Sequence, residues 1–244
     1  MESKVALITG GARGIGRALA LDLASRGWSV AICYRTSAQA AAEVLETVCR
    51  AGVKGSALQC DVSDPTAALA WARKIENEWH RIDALINCAG PYHRVSLLQE
   101  TSQNWHAMFD NNLHSVFYLA QAVVPGMKER RWGRIISFSM SNSEQMIAQP
   151  QLTAHYISKV GVVILTRSLA RLVAPFGITA NCVAPGFIDS GSAPKEELES
   201  AAKRIPAGYI GSVDDTTSVV RFLLSDEARY VNGANIQVSG AWGL

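Results

Sequence analysis

The sequence predicts an α/β protein of one domain, built on a doubly wound parallel sheet. Three observations predict it. Short apolar runs alternate with longer stretches of helical periodicity along all 244 residues. The runs are apolar throughout rather than alternating, as strands covered on both faces are. Each run is separated from the next by a helix-length segment, which parallel strands need for their crossovers.

The elements follow in order. "KVALIT" (Lys4–Thr9) is a short buried strand, and "ARGIGRALALDLASRG" after it carries apolar residues at helical spacing, with Gly27 as its stop. "SVAICY" (Ser29–Tyr34) is the second strand, followed by a helix near Ala38–Ala51. "SALQC" (Ser56–Cys60), a helix near Pro65–His80 and "DALIN" (Asp83–Asn87) continue the alternation. One long helical stretch is expected over Thr101–Arg130, then the strand "GRIISFS" (Gly133–Ser139) and a helix over Thr153–Ala174. "GITANCV" (Gly177–Val183), a helix near Val213–Ser225 and "NIQVS" (Asn235–Ser239) close the chain. The tract Asp189–Gly211 follows the carboxyl end of the sixth strand, where ligands of such sheets bind, and is read as a lid segment. Residues 1–244 are thus taken as one unit, with no linker-like stretch dividing them.

Composition narrows the function. Lys and Arg total 23 against 21 Asp and Glu, a balance that argues against a nucleic-acid partner. No apolar run approaches the ~20 residues of a membrane span. "MESK" leads straight into a strand with no signal-peptide pattern, and five scattered cysteines, none in a Cys-x-x-Cys pair, suit a reducing cytoplasm better than a metal site.

"TGGARGIG" (Thr9–Gly16) joins the first strand to the first helix. Gly10, Gly14 and Gly16, with Arg13 and Ile15 between them, allow a tight turn and a close backbone approach to a pyrophosphate at the helix amino terminus. That context makes the sheet Rossmann-type. The second strand ends "CYRTS", with Arg35 and Ser37 where an NAD site usually carries an acid for the ribose diol. Arg35, helped by Arg13, attracts a 2′-phosphate, so NADP is favoured over NAD.

Here the chain resembles the short-chain dehydrogenase/reductase family over nearly its whole length. The likeness rests on "TGGARGIG", Asp61 with Val62, "NCAG" (Asn87–Gly90), Asn112 in "NNLHSVF", and "APG" (Ala184–Gly186) with Ser190 beyond it. The closing "IPAGYIG" and "FLLSDEARYVNG" look like the ketoacyl-carrier-protein reductase branch. The resemblance implies that Asp61 and Val62 flank the adenine, and that Asn87, Ala89 and Gly90 line the cofactor beside the ribose. It implies that Pro185, Gly186, Ile188 and Ser190 border the nicotinamide, that Lys159 holds its ribose, and that Asn112 holds a water of a proton relay. It also implies a homodimer or homotetramer packed through the helices at 101–130 and 153–174.

The reaction end departs from the pattern. The family places a tyrosine four residues before the lysine, as proton donor, and a serine after the preceding strand. In "TAHYISKVG" that register falls on His155, with Tyr156 only three residues before Lys159. Successive helical residues point about 100° apart, so only one of the pair faces the nicotinamide, and the register favours His155. Counting from "GRII" puts Met140 at the serine position; Ser139, Ser141 and Ser143 stand near, and Ser141 enters the candidate catalytic set with Asn112, His155 and Lys159. Tyr92 and Tyr209 are further tyrosines within reach of the pocket. The leading expectation is an NADPH-dependent reductase of a small carbonyl or imine compound. The alternative is an NADP-binding relative without redox turnover: a sensor, a scaffold or a non-redox catalyst.

Overall fold

The computed structural model describes residues 3–191 and 195–244. The first half runs β1 (Val5–Thr9), α1 (Gly14–Ser25), β2 (Ser29–Tyr34), α2 (Ala38–Arg50), β3 (Gly55–Gln59), α3 (Pro65–Trp79) and β4 (Ala84–Asn87). It continues with α4 (Ser102–Phe109), α5 (Ser115–Arg130), β5 (Gly133–Phe138), α6 (Thr153–Val173) and β6 (Ile178–Pro185). β7 (Ile188–Asp189), α7 (Lys195–Ala202), β8 (Gly211–Ser212), α8 (Val213–Leu224) and β9 (Asn235–Val238) complete it.

Seven strands form one parallel sheet in the order β3-β2-β1-β4-β5-β6-β9. The order reverses between β1 and β4, and the crevice outside their carboxyl ends is where such sheets take ligands. Alternate residues of each central strand feed opposite cores. Ile8, Ile32, Ile86 and Ile136 pack with residues of α1, α2 and α8 on one face. Leu7, Leu85 and Ile135 pack with Trp71, Leu119 and Val173 on the other. Both faces are covered, which is why the strands read as unbroken apolar runs.

Local chemistry fixes several helix starts. Asp64 accepts from the amides of Thr66 and Ala67, with Pro65 in the first helical position of α3. Ser212 and Asp215 form a capping box at α8. At the amino-terminal edge of the sheet, the Trp132 ring carries two cations, Lys4 Nζ at 3.9 Å from its centroid and the Arg134 guanidinium at 4.3 Å. Trp132 Nε1 also donates to Asp226, which pairs with the buried Arg134.

Two details differ from the sequence reading. The expected helix over 101–130 is interrupted by a π turn at Asp110–His114. Asn112 Nδ2 donates to Met108 O, the carbonyl its own backbone amide would use in an α-helix, and this competition widens the turn. Within the tract read as a lid, β7 and β8 pair as a small parallel ribbon flanking α7; residues 192–194 of that tract lie outside the described residues. Among the described residues no helix is long and apolar enough to cross a membrane.

Candidate active site

The glycine turn after β1 has the conformation its sequence demands. Gly10 and Gly14 adopt φ of +64° and +53°, strained for residues with a Cβ. A methyl on Gly10 would also press on the Ala89 backbone at 3.1 Å, so this turn and the end of β4 lie back to back. Thr9 Oγ1 locks them, accepting from the amides of Cys88 and Ala89 at 3.0 and 2.8 Å. Ile15 turns its side chain into the core, leaving only its backbone to the helix amino terminus.

Beside this turn opens a cleft of about 270 Å³ lined by Gly10, Arg13, Arg35, Ser37, Asp61 and Gly90, among others. Arg13 and Arg35, separated by a whole βα unit in sequence, share it. Among the described residues neither guanidinium is ion-paired. Val62 lines the same wall, and Asp61 is steadied by accepting from the amide and hydroxyl of Ser63. Asn87 Nδ2 donates to Ser137 Oγ, binding β4 to β5 beneath the cleft. Of the residues after β6, Ser190 borders the glycine turn, 3.4 Å from where a Gly14 methyl would stand. Pro185 ends β6, and Gly186 is pinned against Ser239 too closely for a side chain. Ile188 instead lines a second cleft of about 220 Å³ with Phe187, Tyr209 and Gln237.

At the far end of the first cleft, Gly90 stands against Asn112 and Lys159. A methyl there would overlap Asn112 Oδ1 and come within 3.3 Å of Lys159 Nζ. Asn112 is buried; its Nδ2 donates to Pro91 O and Met108 O, while Oδ1 has no partner among the described residues. Lys159 Nζ donates to Phe138 O at 2.8 Å, and burial pulls its pKa down to about 8.

His155 and Tyr156 part company at the start of α6. The imidazole meets the Tyr92 ring edge-on, centroids 5.2 Å apart. Burial, and secondarily the Lys159 charge, lower its pKa to about 4, so the ring is neutral near pH 7. Tyr156 points elsewhere: its hydroxyl donates to Asn142 O at 2.9 Å and accepts from Ile147 N at 3.3 Å. It fastens the β5–α6 loop.

The three loop serines are also sorted. Ser139 Oγ donates to Asn235 Oδ1 at 2.6 Å, and Ser143 Oγ accepts from Asn235 Nδ2 at 3.4 Å. Ser141 is fully buried under Gly243, and its hydroxyl has no partner among the described residues.

Comparison with known proteins decides the family. The profile described as "Enoyl-(Acyl carrier protein) reductase" matches residues 10–242. A 3-oxoacyl-[acyl-carrier-protein] reductase from Staphylococcus aureus is 37% identical over 241 residues, 98% of this chain and 97% of its own. The chain belongs to the short-chain dehydrogenase/reductase family.

Its oxidoreductase relatives include the reductase of the same description from Pseudomonas aeruginosa, 37% identical over 98% of this chain and 97% of that protein. Two solved structures share the fold of this short-chain oxidoreductase. One is a short-chain alcohol dehydrogenase, described as putative, from Sinorhizobium meliloti: TM-score 0.91, 29% identity, 99% of this chain and 97% of that one. The other is a blue fluorescent protein from a metagenomic library in complex with NADPH: TM-score 0.90, 29% identity, 99% and 98% coverage.

Sequence reasoning passed over two residues of this family site. Thr9 was read as the end of a strand and the first residue of "TGGARGIG", with no role for its side chain, yet its hydroxyl joins the glycine turn to "NCAG". Pro91 was not singled out, because what matters is its carbonyl, which accepts from Asn112 Nδ2. A backbone acceptor leaves no mark in residue type; the one available signal was its position directly after "NCAG".

Proposed function

We propose that this short-chain oxidoreductase is an NADPH-dependent reductase of a small carbonyl or imine substrate, with an acid–base site in which His155 and Met140 stand where the family has tyrosine and serine. The observation that carries the reading is the cleft running from Arg13 and Arg35, not ion-paired among the described residues, to Gly90, with Asn112 and Lys159 packed directly behind that glycine. Two guanidiniums fit a 2′-phosphate, and the positive-φ glycines leave room for a pyrophosphate. The NADPH-bound structural relative points the same way. Ser37, Asp61, Val62, Asn87 and Ala89 complete the adenosine wall in this reading, with Pro185, Gly186, Ile188 and Ser190 toward the nicotinamide through backbone and hydroxyl groups.

NADPH, when bound, supplies the hydride. Lys159 holds a proton on Nζ whose pKa of about 8 makes it a readier donor than an ordinary lysine. Asn112 Oδ1, unpartnered beside it, orients a water or a substrate N–H against that ammonium. His155 works as a neutral imidazole. With a pKa of about 4 the ring is a hydrogen-bonding group rather than a proton source, and its Nδ1 has no partner among the described residues. An imine suits this arrangement, because its nitrogen needs a weaker acid than a ketone oxygen does. Ser141 is the loop serine whose hydroxyl has no partner among the described residues, and it lies fully buried beneath Gly243.

One observation favours a second reading, an NADP-binding protein without turnover: neither His155 nor Tyr156 offers an acid of the family's kind. Absorbance of NADPH at its nicotinamide band, followed with a panel of ketones and cyclic imines, separates the two. Consumption that declines as pH rises through about 8, where Lys159 loses its proton, is expected. Tight NADPH binding with no consumption across the panel would select the second reading.

A homodimer or homotetramer is supported by apolar exposure along α5 and α6. Phe117 and Leu172, 44% and 68% exposed, line a groove of about 340 Å³, and Ile164 on α6 is 61% exposed. The five unbridged cysteines suit a cytoplasmic setting.

A further inference from the structure

Two of the five thiols are set as a pair. Cys33 is near the end of β2, and Cys60 directly follows β3. The strands are parallel neighbours with Cys33 opposite Leu58, so Cys60 lies two residues further along on the same face. Cys60 N donates to Tyr34 O, which holds the strand ends together. Both side chains belong to one buried cluster, and both line the cleft that contains Arg13, Arg35 and Asp61.

We propose that Cys33 and Cys60 form a two-electron oxidation site on the floor of the adenosine end of the cleft, closing to a disulfide when the cleft is empty and shielded when a nucleotide fills it. The shielding half rests on the nucleotide reading of that cleft given above. The neighbouring Cys33 side chain holds Cys60 below the usual thiol range, while burial pushes Cys33 up. Cys60 is therefore the nucleophile and Cys33 the resolving thiol.

Hydrogen peroxide is the oxidant class small enough to reach so closed a floor. The Cys60 thiolate attacks one peroxide oxygen, the O–O bond breaks, and hydroxide leaves to become water, giving a sulfenic acid at Cys60. Cys33 sulfur then attacks Cys60 sulfur. The S–O bond breaks, and the departing hydroxyl takes the Cys33 proton as a second water. Two thiols and one peroxide become one disulfide and two waters.

The bridge also has a mechanical consequence. Disulfides span Cα atoms roughly 4.4–6.8 Å apart, whereas same-face diagonal neighbours in a sheet start roughly 7–8 Å apart. Closure therefore draws the ends of β2 and β3 together. Those ends carry Arg35 and Asp61, so the adenosine wall moves with them. Oxidation and nucleotide binding must then oppose each other by the same factor in both directions.

The test treats the reduced full chain with hydrogen peroxide and maps its disulfides by peptide mass spectrometry. It is run alone and with 2′,5′-ADP, which has the adenosine half of NADPH and no redox group. A Cys33–Cys60 peptide is expected, forming about tenfold more slowly at ten times the Kd of 2′,5′-ADP. The oxidised chain should bind 2′,5′-ADP more weakly by calorimetry, with recovery on adding dithiothreitol; Cys33→Ser should abolish both effects. Absence of the Cys33–Cys60 peptide overturns the proposal, as does an unchanged rate with 2′,5′-ADP measurably bound. A reduced chain that binds no 2′,5′-ADP sinks the nucleotide reading and the shielding with it, while the peptide map still decides the thiol pair.

Discussion

Tyr156→Phe is the substitution that most sharply tests how the start of α6 is used. The hydroxyl donates to Asn142 O and accepts from Ile147 N, and so ties two points of the β5–α6 loop to the helix. Asn142 itself sits at φ +61° and Met146 at +53°, conformations that tertiary bonds must hold. Phenylalanine keeps the buried ring and removes both bonds. Each is worth about 0.5–1.5 kcal/mol, so the loss is about 1–3 kcal/mol in all. For a chain of 244 residues that lowers Tm by roughly 2–12 °C. Thermal and urea unfolding measure it, with NADPH affinity by fluorescence alongside. Stability should fall while NADPH affinity stays within about twofold, a change worth only ~0.4 kcal/mol. A variant as stable as the parent that loses NADPH-dependent turnover would refute the reasoning, because Tyr156 would then be serving the reaction rather than the loop.

Three further outcomes are expected. His155 titrates at about 4 in the fold against an ordinary 6.5, so the unfolded chain binds more protons between those values. Stability is full above pH 6.5 and falls by roughly 3 kcal/mol as pH drops through that window; His155→Gln should flatten this limb in urea titrations from pH 7 to 4, and an unchanged limb would discount the buried neutral ring. Arg35→Glu should weaken NADPH binding roughly 10–100-fold, the value of a lost charge-assisted contact, with little effect on NADH; equal losses for both cofactors would remove Arg35 from the phosphate site. Trp132→Leu should cost roughly 1–3 kcal/mol by removing the ring against which Lys4 and Arg134 both lie, read as a shift in the urea midpoint; no shift would mean the stacked cations contribute nothing.

The legible parts of this protein were those written in residue type at short range. The glycines of "TGGARGIG" predicted a positive-φ turn, and Gly10 and Gly14 adopt it. Apolar runs predicted strands buried on both faces, and the seven-stranded parallel sheet provides that burial. The long helix at 101–130 hid its π turn, because the cause is one side chain competing for a carbonyl, and helical periodicity averages over such a slip. The little ribbon of β7 and β8 was illegible for a related reason: two-residue strands carry no period.

By itself the sequence determined the family, the sheet and the place of the glycine turn, because these follow from periodicities and motifs within tens of residues. Only the tertiary structure decided what the side chains at the site do. It turned Tyr156 into a loop fastener, because Asn142 O and Ile147 N come within reach of its hydroxyl. It made His155 neutral, because burial removes the water that would stabilise its charge. It brought Cys33 to Cys60 and Arg13 to Arg35, pairs joined by strand neighbours rather than by spacing. Hydrogen-bond direction, desolvation and cross-strand proximity are properties of the packed chain, and no local stretch of residues carries them.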